Sequence, residues 1–111
     1  MASKLAERKC EPCTASTPRL AGKELEKYVK ELGAEWTVRD GKELERNYVF
    51  KNFADALAFT NRVGAIAERE GHHPDICLGW GKVKLSIWTH AINGLSESDF
   101  ILAAKADAAL H

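Results

Sequence analysis

The chain has 111 residues, a length that suits one domain around one core and excludes two. Hydrophobic residues make up 45% of it and charged residues 29%, with 16 Lys and Arg set against 16 Asp and Glu. That balance leaves no basic footprint for a phosphate backbone, so no direct nucleic-acid contact is expected.

No apolar run approaches the ~20 residues of a membrane helix, so no membrane partner is expected either. Met1 to Lys9 lacks the apolar segment of a secretory signal, and Glu7 and Glu11 do not suit an acid-poor transit peptide. The expectation is a cytoplasmic protein. Three cysteines form an odd set, and a reducing compartment implies no disulfide framework. The run "CEPC", Cys10 to Cys13, has the spacing of a redox pair or of half a zinc site. It lies in a Pro-, Ser- and Thr-rich leader rather than at a helix start in a βαβ unit. Cys77 and a histidine could complete four zinc ligands, but no spacing requires it. We therefore expect an incidental or local structural role, with no metal and no cofactor.

Residues 1–18 read as an irregular N-terminal leader and 19–111 as a single domain. Leu25, Tyr28, Val29 and Leu32 follow helical spacing, and Gly33 is a natural stop. Lys23, Lys27, Lys30 and Glu31 take the wet side. "AEWTVRDGKELERNYVF" reads as a hairpin: Trp36 and Val38 alternate with polar residues, and Asp40-Gly41 tolerates positive φ. The second strand spans about Leu44 to Phe50.

Asn52, with Asp55 three residues on, opens a helix that runs to about Glu70, where Gly71 and Pro74 end it. Its expected buried stripe is Phe53, Ala56, Leu57, Val63, Ala67 and Ile66. A second hairpin follows: "ICLGW", a turn over Gly79 to Lys82, then "VKLSIWTH". Val83, Leu85, Ile87 and Thr89 face one way, and Lys84, Ser86, Trp88 and His90 the other. Cys77 is expected as a small buried hydrophobe. Ser96 and Asp99 form a capping box before an Ala-rich helix, Phe100 to Leu110. The order α-β-β-α-β-β-α implies an α+β fold, a four-stranded antiparallel sheet with helices packed on one face.

"GHHPD", Gly71 to Asp75, is the unusual stretch. Histidine titrates near neutrality and can both give and take a proton. Pro74 pushes His73 to an extended conformation, in which neighbouring side chains diverge, so His72 and His73 should have different tasks. His90 ends a strand on the face opposite the aliphatic row. Trp36 and Trp88 are available to stack a flat heterocycle. Histidines at a helix end also simply stabilise it, and the residues alone leave both readings open. A metal site is the weaker alternative, because no H-x-x-x-H or H-x-H spacing occurs.

The run "EREGHHPDICLGWGKVKLSIWTHAINGLSESD" resembles the signature of the pterin-4a-carbinolamine dehydratases. Its parts here are Glu68, then His72-His73-Pro74, Trp80, Thr89-His90, Gly94-Leu95-Ser96 and Asp99. The similarity extends upstream and covers roughly residues 18 to 107. The resemblance implies a lyase that dehydrates 4a-hydroxytetrahydropterins to quinonoid dihydropterins, recycling the cofactor of aromatic amino acid hydroxylases. It implies His72 and His90 as an acid/base pair working without metal, and His73 as catalytic mainly by holding the pterin. Pro74, Glu68, Trp36, Thr89 and Asp99 are the expected substrate-binding residues. Trp36 could equally be a core aromatic; Glu68 could orient a histidine or contact the pterin, or be a solvated residue; Asp99 could polarise a site histidine, or be a helix cap. Ile76, Cys77 and Leu78 depart from the more aromatic strand expected there.

The resemblance further implies a homodimer or homotetramer, with the strand Val83–Thr89 as a candidate edge for pairing. Two other functions stay open. One is a dimerisation or coactivator-type module, since animal relatives also stabilise a homeodomain transcription factor. The other is action on a different pterin, as in molybdopterin metabolism.

Overall fold

The computed structural model describes residues 4–10 and 16–110. Cys13, the second cysteine of "CEPC", lies outside them. Three helices and four strands follow the order α1 (Gly22–Leu32), β1 (Thr37–Arg39), β2 (Glu43–Val49), α2 (Phe53–Glu70), β3 (Asp75–Gly79), β4 (Lys82–Ile87), α3 (Glu97–Ala108). This is the expected α+β order. A 3-10 turn over Lys4–Glu7 precedes it, within the stretch expected to be irregular, and another, His90–Ile92, follows β4.

Each boundary has a local cause. Gly33 stops α1 at φ 115°, in the region that favours glycine. Asp40 and Gly41 both take positive φ, 53° and 68°, giving the β1–β2 hairpin a turn whose twist matches its strands. The Asn52 side chain accepts the Asp55 amide at 2.8 Å and starts α2. Gly71 ends it in the left-handed region at φ 65°, ψ 27°.

The sheet is antiparallel in the order β1-β2-β4-β3. Long-range pairing sets its register: Leu44 faces Ile87 and Tyr48 faces Val83 across β2 and β4. Val83, Leu85 and Ile87 are all fully buried beneath the helices, with Phe59, Leu95, Phe100 and Leu102. The opposite face is polar. Glu45 there accepts from Arg39 at 2.9 Å and lies 3.8 Å from Lys84.

Two expectations are corrected by this packing. The buried stripe of α2 is Ala56, Phe59, Val63 and Ala67, whereas Phe53 and Leu57 are exposed. Phe59, not Leu57, continues the three-and-four spacing that meets the sheet, where its ring lies 4.5 Å from Tyr48 and 5.2 Å from Phe50. The strand proposed as a free edge, Val83–Thr89, is largely β4, which is interior, paired with β2 on one side and β3 on the other. The edges are β1 and β3, so it is their backbone that stays open to pairing.

The described leader residues 4–10 are docked on the domain. Leu5 is 1% exposed and belongs to the core, packed with the 3-10 turn against α3. Lys105 donates to the Ala6 carbonyl at 2.9 Å, and Arg8 pairs with Glu97 at 2.7 Å.

Candidate active site

The site grows from one buried carboxylate. Asp99 is the third residue of α3 and completes the expected capping box, its Oδ2 accepting the Ser96 amide at 2.8 Å. The same oxygen accepts the Thr89 hydroxyl at 2.7 Å. The other oxygen, Oδ1, lies 2.5 Å from Nε2 of His72. Asp99 is fully buried, and Thr89 and Ser96 are buried around it, their hydroxyl oxygens 2.9 Å apart. A buried carboxylate accepts only, and here its neighbours are arranged as donors. Cap and histidine partner are therefore one group, not alternatives.

His72 reaches this carboxylate because of the turn before it. Its amide and that of Gly71 both donate to Ala67 O, which pins the chain to the last turn of α2. With its Nε2 proton given to Asp99, a neutral His72 carries its lone pair on Nδ1. His73 diverges as expected. It is exposed and pairs with the exposed Glu68 carboxylate at 2.6 Å, and the half-buried Pro74 follows it.

His90 adjoins the network through the chain, as the residue after Thr89. Thr89, bonded to Asp99, is its immediate neighbour, and Thr89 makes an antiparallel bridge to Gly94 that closes the loop between them. A side chain at Gly94 would meet the Arg19 side chain at 2.8 Å, so Arg19 packs closely over the loop there. Arg19 itself donates to the Ile92 carbonyl. The exposed His90 ring stacks on Trp88, centroids 4.4 Å apart and planes inclined by 19°. Trp88 also lines a shallow open depression with Arg39, Lys42, Glu43 and Asn93.

The structure thus joins His72, Thr89 and Asp99 directly, turns the His90 ring onto Trp88, and leaves His73 paired with Glu68 on the surface. Trp36 is placed elsewhere. It is 5% exposed, and its indole donates to Asp107 at 2.9 Å. Asp107 also accepts from Arg46 at 2.7 Å and Tyr48 at 2.6 Å, two turns of α3, or about 12 Å, beyond Asp99. Trp36 occupies the core position that its sequence left open. Burial first, then the Asp107 charge, pushes the Tyr48 hydroxyl well above its ordinary range.

Cys77 is exposed on β3 rather than buried, and Trp80 is 70% exposed in the β3–β4 turn. Among the described residues no three His, Cys, Asp or Glu side chains gather into a group that could hold a metal ion. No helix among them is long and apolar enough to cross a membrane. Sequence reasoning missed the Thr89–Asp99 bond and the stacking of Trp88 on His90. Strand alternation does place Trp88 and His90 on one face, which was the available signal.

Residues 18–109 match the model of the family described as pterin 4 alpha carbinolamine dehydratase. A protein of Alkaliphilus metalliredigens (strain QYMF), assigned to the same dehydratase family, is 54% identical over 103 residues, 93% of each chain. One from Rubrobacter xylanophilus is 50% identical over 105 residues, 95% of this chain and 97% of the relative. The crystal structure of a transcriptional coactivator/pterin dehydratase from Brucella melitensis superposes with a TM-score of 0.78 at 29% identity, over 85% of this chain and all of that one. A pterin dehydratase-like RuBisCO assembly factor of the alpha-carboxysome shares the fold, at a TM-score of 0.61 and 23% identity. With the family model spanning most of the chain and half of all positions shared with such relatives, the chain belongs to the pterin 4 alpha carbinolamine dehydratase family.

Proposed function

We propose that the chain is a hydro-lyase that converts 4a-hydroxytetrahydropterin to quinonoid dihydropterin and water, using histidine acid/base chemistry. The C4a–O bond breaks as its oxygen takes a proton and leaves as water, while a ring N–H gives up its proton to a base. The observation that carries the reading is the His72–Asp99–Thr89 network, with His90 as the next residue. Asp99 fixes the His72 ring by accepting its Nε2–H, which frees Nδ1 for proton transfer. His90, held against Trp88, is the second proton carrier. His73, with Glu68 and Pro74, forms a rim suited to a polar pterin edge. Two imidazoles supply both an acid and a base, so the reaction needs no metal from the protein. Such an enzyme would return an oxidised pterin to the cofactor pool of an aromatic amino acid hydroxylase.

Stopped-flow absorbance of 4a-hydroxytetrahydropterin dehydration tests this, using wild type and His90→Ala with and without chelator. Chelator-insensitive acceleration by wild type, lost in the variant, is the expected result. No acceleration by wild type would remove the assignment.

A second reading is favoured by a specific observation. Phe53 and Leu57, one turn apart on α2, are 44% and 39% exposed and offer an apolar face. A homodimer or homotetramer, or a partner of the coactivator type, would use it. Light scattering at micromolar concentration tests self-association, and a monomer would remove it.

A further inference from the structure

Cys10 of the leader contacts both chain segments that carry the site. The Cys10 amide donates to Glu70 Oε1 at 2.9 Å, and Glu70 is the last residue of α2, two positions before His72. The Cys10 thiol lies 3.5 Å from the carbonyl of Ser98, one position before Asp99. One leader residue thus ties the segment that delivers His72 to the segment that delivers Asp99.

The tie is anchored on both sides. Glu70 is 92% buried at its side chain, with 8% exposed, and lies 3.9 Å from the Lys105 ammonium on α3. Lys105, 11% exposed, turns its other donor contact to Ala6 of the leader. Leu5 seals the far end of the strap in the core. A carboxylate buried this deeply must be partnered, and the partners are the leader amide of Cys10, the α3 cation Lys105 and, at 3.5 Å, the neighbouring Arg69. Glu70 reaches neither the rim nor the network around Asp99. Its contacts serve geometry.

We propose that residues 4–10 and Glu70 form a clamp that fixes the distance between His72 and Asp99, which makes Glu70 a positioning residue for the proton transfer. The proposal rests on the dehydratase reading for its kinetic consequence but not for its geometry. A misplacement of about an ångström far from the chemistry can cost about 100-fold in rate. Loosening the clamp should therefore lower kcat while KM, set by contacts to the pterin, stays within about twofold.

The test uses the full chain with Glu70→Ala, Glu70→Gln and Leu5→Asp. Glutamine still accepts the Cys10 amide, so Glu70→Gln should keep kcat within about threefold of wild type, whereas Glu70→Ala and Leu5→Asp lose about tenfold or more. Proton NMR of the His72 Nε2–H, shifted downfield by its bond to Asp99, provides a readout besides turnover. The signal should persist in Glu70→Gln and broaden or vanish in Glu70→Ala. If Leu5→Asp does not fold, Glu70→Ala decides. A folded Glu70→Ala protein with wild-type kcat, or with an undiminished His72 signal, overturns the clamp, as does equal impairment by glutamine and alanine. Wild type without turnover would remove the dehydratase reading alone, and the His72 signal would still decide the clamp.

Discussion

The His90 imidazole lies flat against the Trp88 indole, centroids 4.4 Å apart, two residues along the same chain segment. One face of the imidazole is covered, so a substrate can approach only the other face or the ring edge that carries the nitrogens. Stacking thereby fixes the orientation of an imidazole that is otherwise exposed. Trp88→Ala should leave the fold intact and lower kcat about tenfold, less than His90→Ala, for which a loss of about 100-fold or more is expected on losing a general acid or base. Stopped-flow turnover of both variants checks the order. Equal rates for Trp88→Ala and wild type would leave the stack without a kinetic role.

Asp99 serves as helix cap and as partner of His72 at once, so its substitution should act on stability and rate together. Asp99→Asn keeps the size but turns one acceptor oxygen into a donor facing His72 or the donors of Thr89 and Ser96. A stability loss of about 1–3 kcal/mol is expected, along with a fall in kcat of about 100-fold. Urea unfolding measured beside turnover separates the two effects. Thr89→Val, which removes one donor, should reproduce a smaller part of each.

The Asp107 cluster carries stability without chemistry. Its carboxylate holds Trp36, Arg46 and Tyr48 together, and removal would leave a mostly buried guanidinium unpaired. Among the described residues, Nε of that same Arg46 is already the one buried side-chain polar atom without a hydrogen bond. Asp107→Ala should cost about 3 kcal/mol, with kcat unchanged at temperatures where the variant is folded. A rate loss in the folded variant would show that Trp36 does reach the substrate.

Acid should weaken the hold of Glu70 on the leader. The Cys10 amide, then Lys105 and Arg69, hold the Glu70 carboxyl below its ordinary value of 4.5, despite burial. Folded Glu70 thus keeps its charge to lower pH than unfolded Glu70. The stabilisation is complete above the ordinary value and drains away as pH falls through the lower folded one. Thermal unfolding of wild type should therefore drop more steeply below pH 4.5 than that of Glu70→Gln. Parallel curves would show that this carboxylate does not contribute.

Gly71 sets the direction in which His72 leaves α2. A methyl group there would meet nothing within 4 Å, yet φ is +65°, so Gly71→Ala costs conformational strain alone, about 1 kcal/mol. That corresponds to a fall in Tm of roughly 4–8 °C, readable by calorimetry.

Local signals carried much of this molecule. Gly33, Asp40-Gly41, Asn52, Gly71 and the Ser96–Asp99 box each mark a boundary through backbone conformation or capping, and these interactions span only a few residues. The helical phase of α2 was harder to read. Phe53, Leu57 and Phe59 are all large and apolar, and only the sheet decides which face is covered. The interior position of β4 was hidden for the same reason, since strand order depends on β2 partners 33 to 43 residues away. Of the site, "GHHPD" and His90 were visible as residue types able to move protons, and the family resemblance gathered them. The double use of Asp99 was not visible, because capping already explained it. Nor was the docking of residues 4–10: a Pro-, Ser- and Thr-rich composition predicts irregular backbone, and Leu5 together with contacts from Lys105, Glu97 and Glu70 holds it.

The interior place of β4 bears on how a newly made chain acquires its site. Leu44 must find Ile87 before the sheet has a centre, with α2 and β3 lying in the intervening loop. Closing that loop is an entropic step that local helix formation cannot bypass. His90 hangs from the end of the late strand and Asp99 from the helix after it. A fragment that stops short of α3 therefore lacks the carboxylate that holds His72.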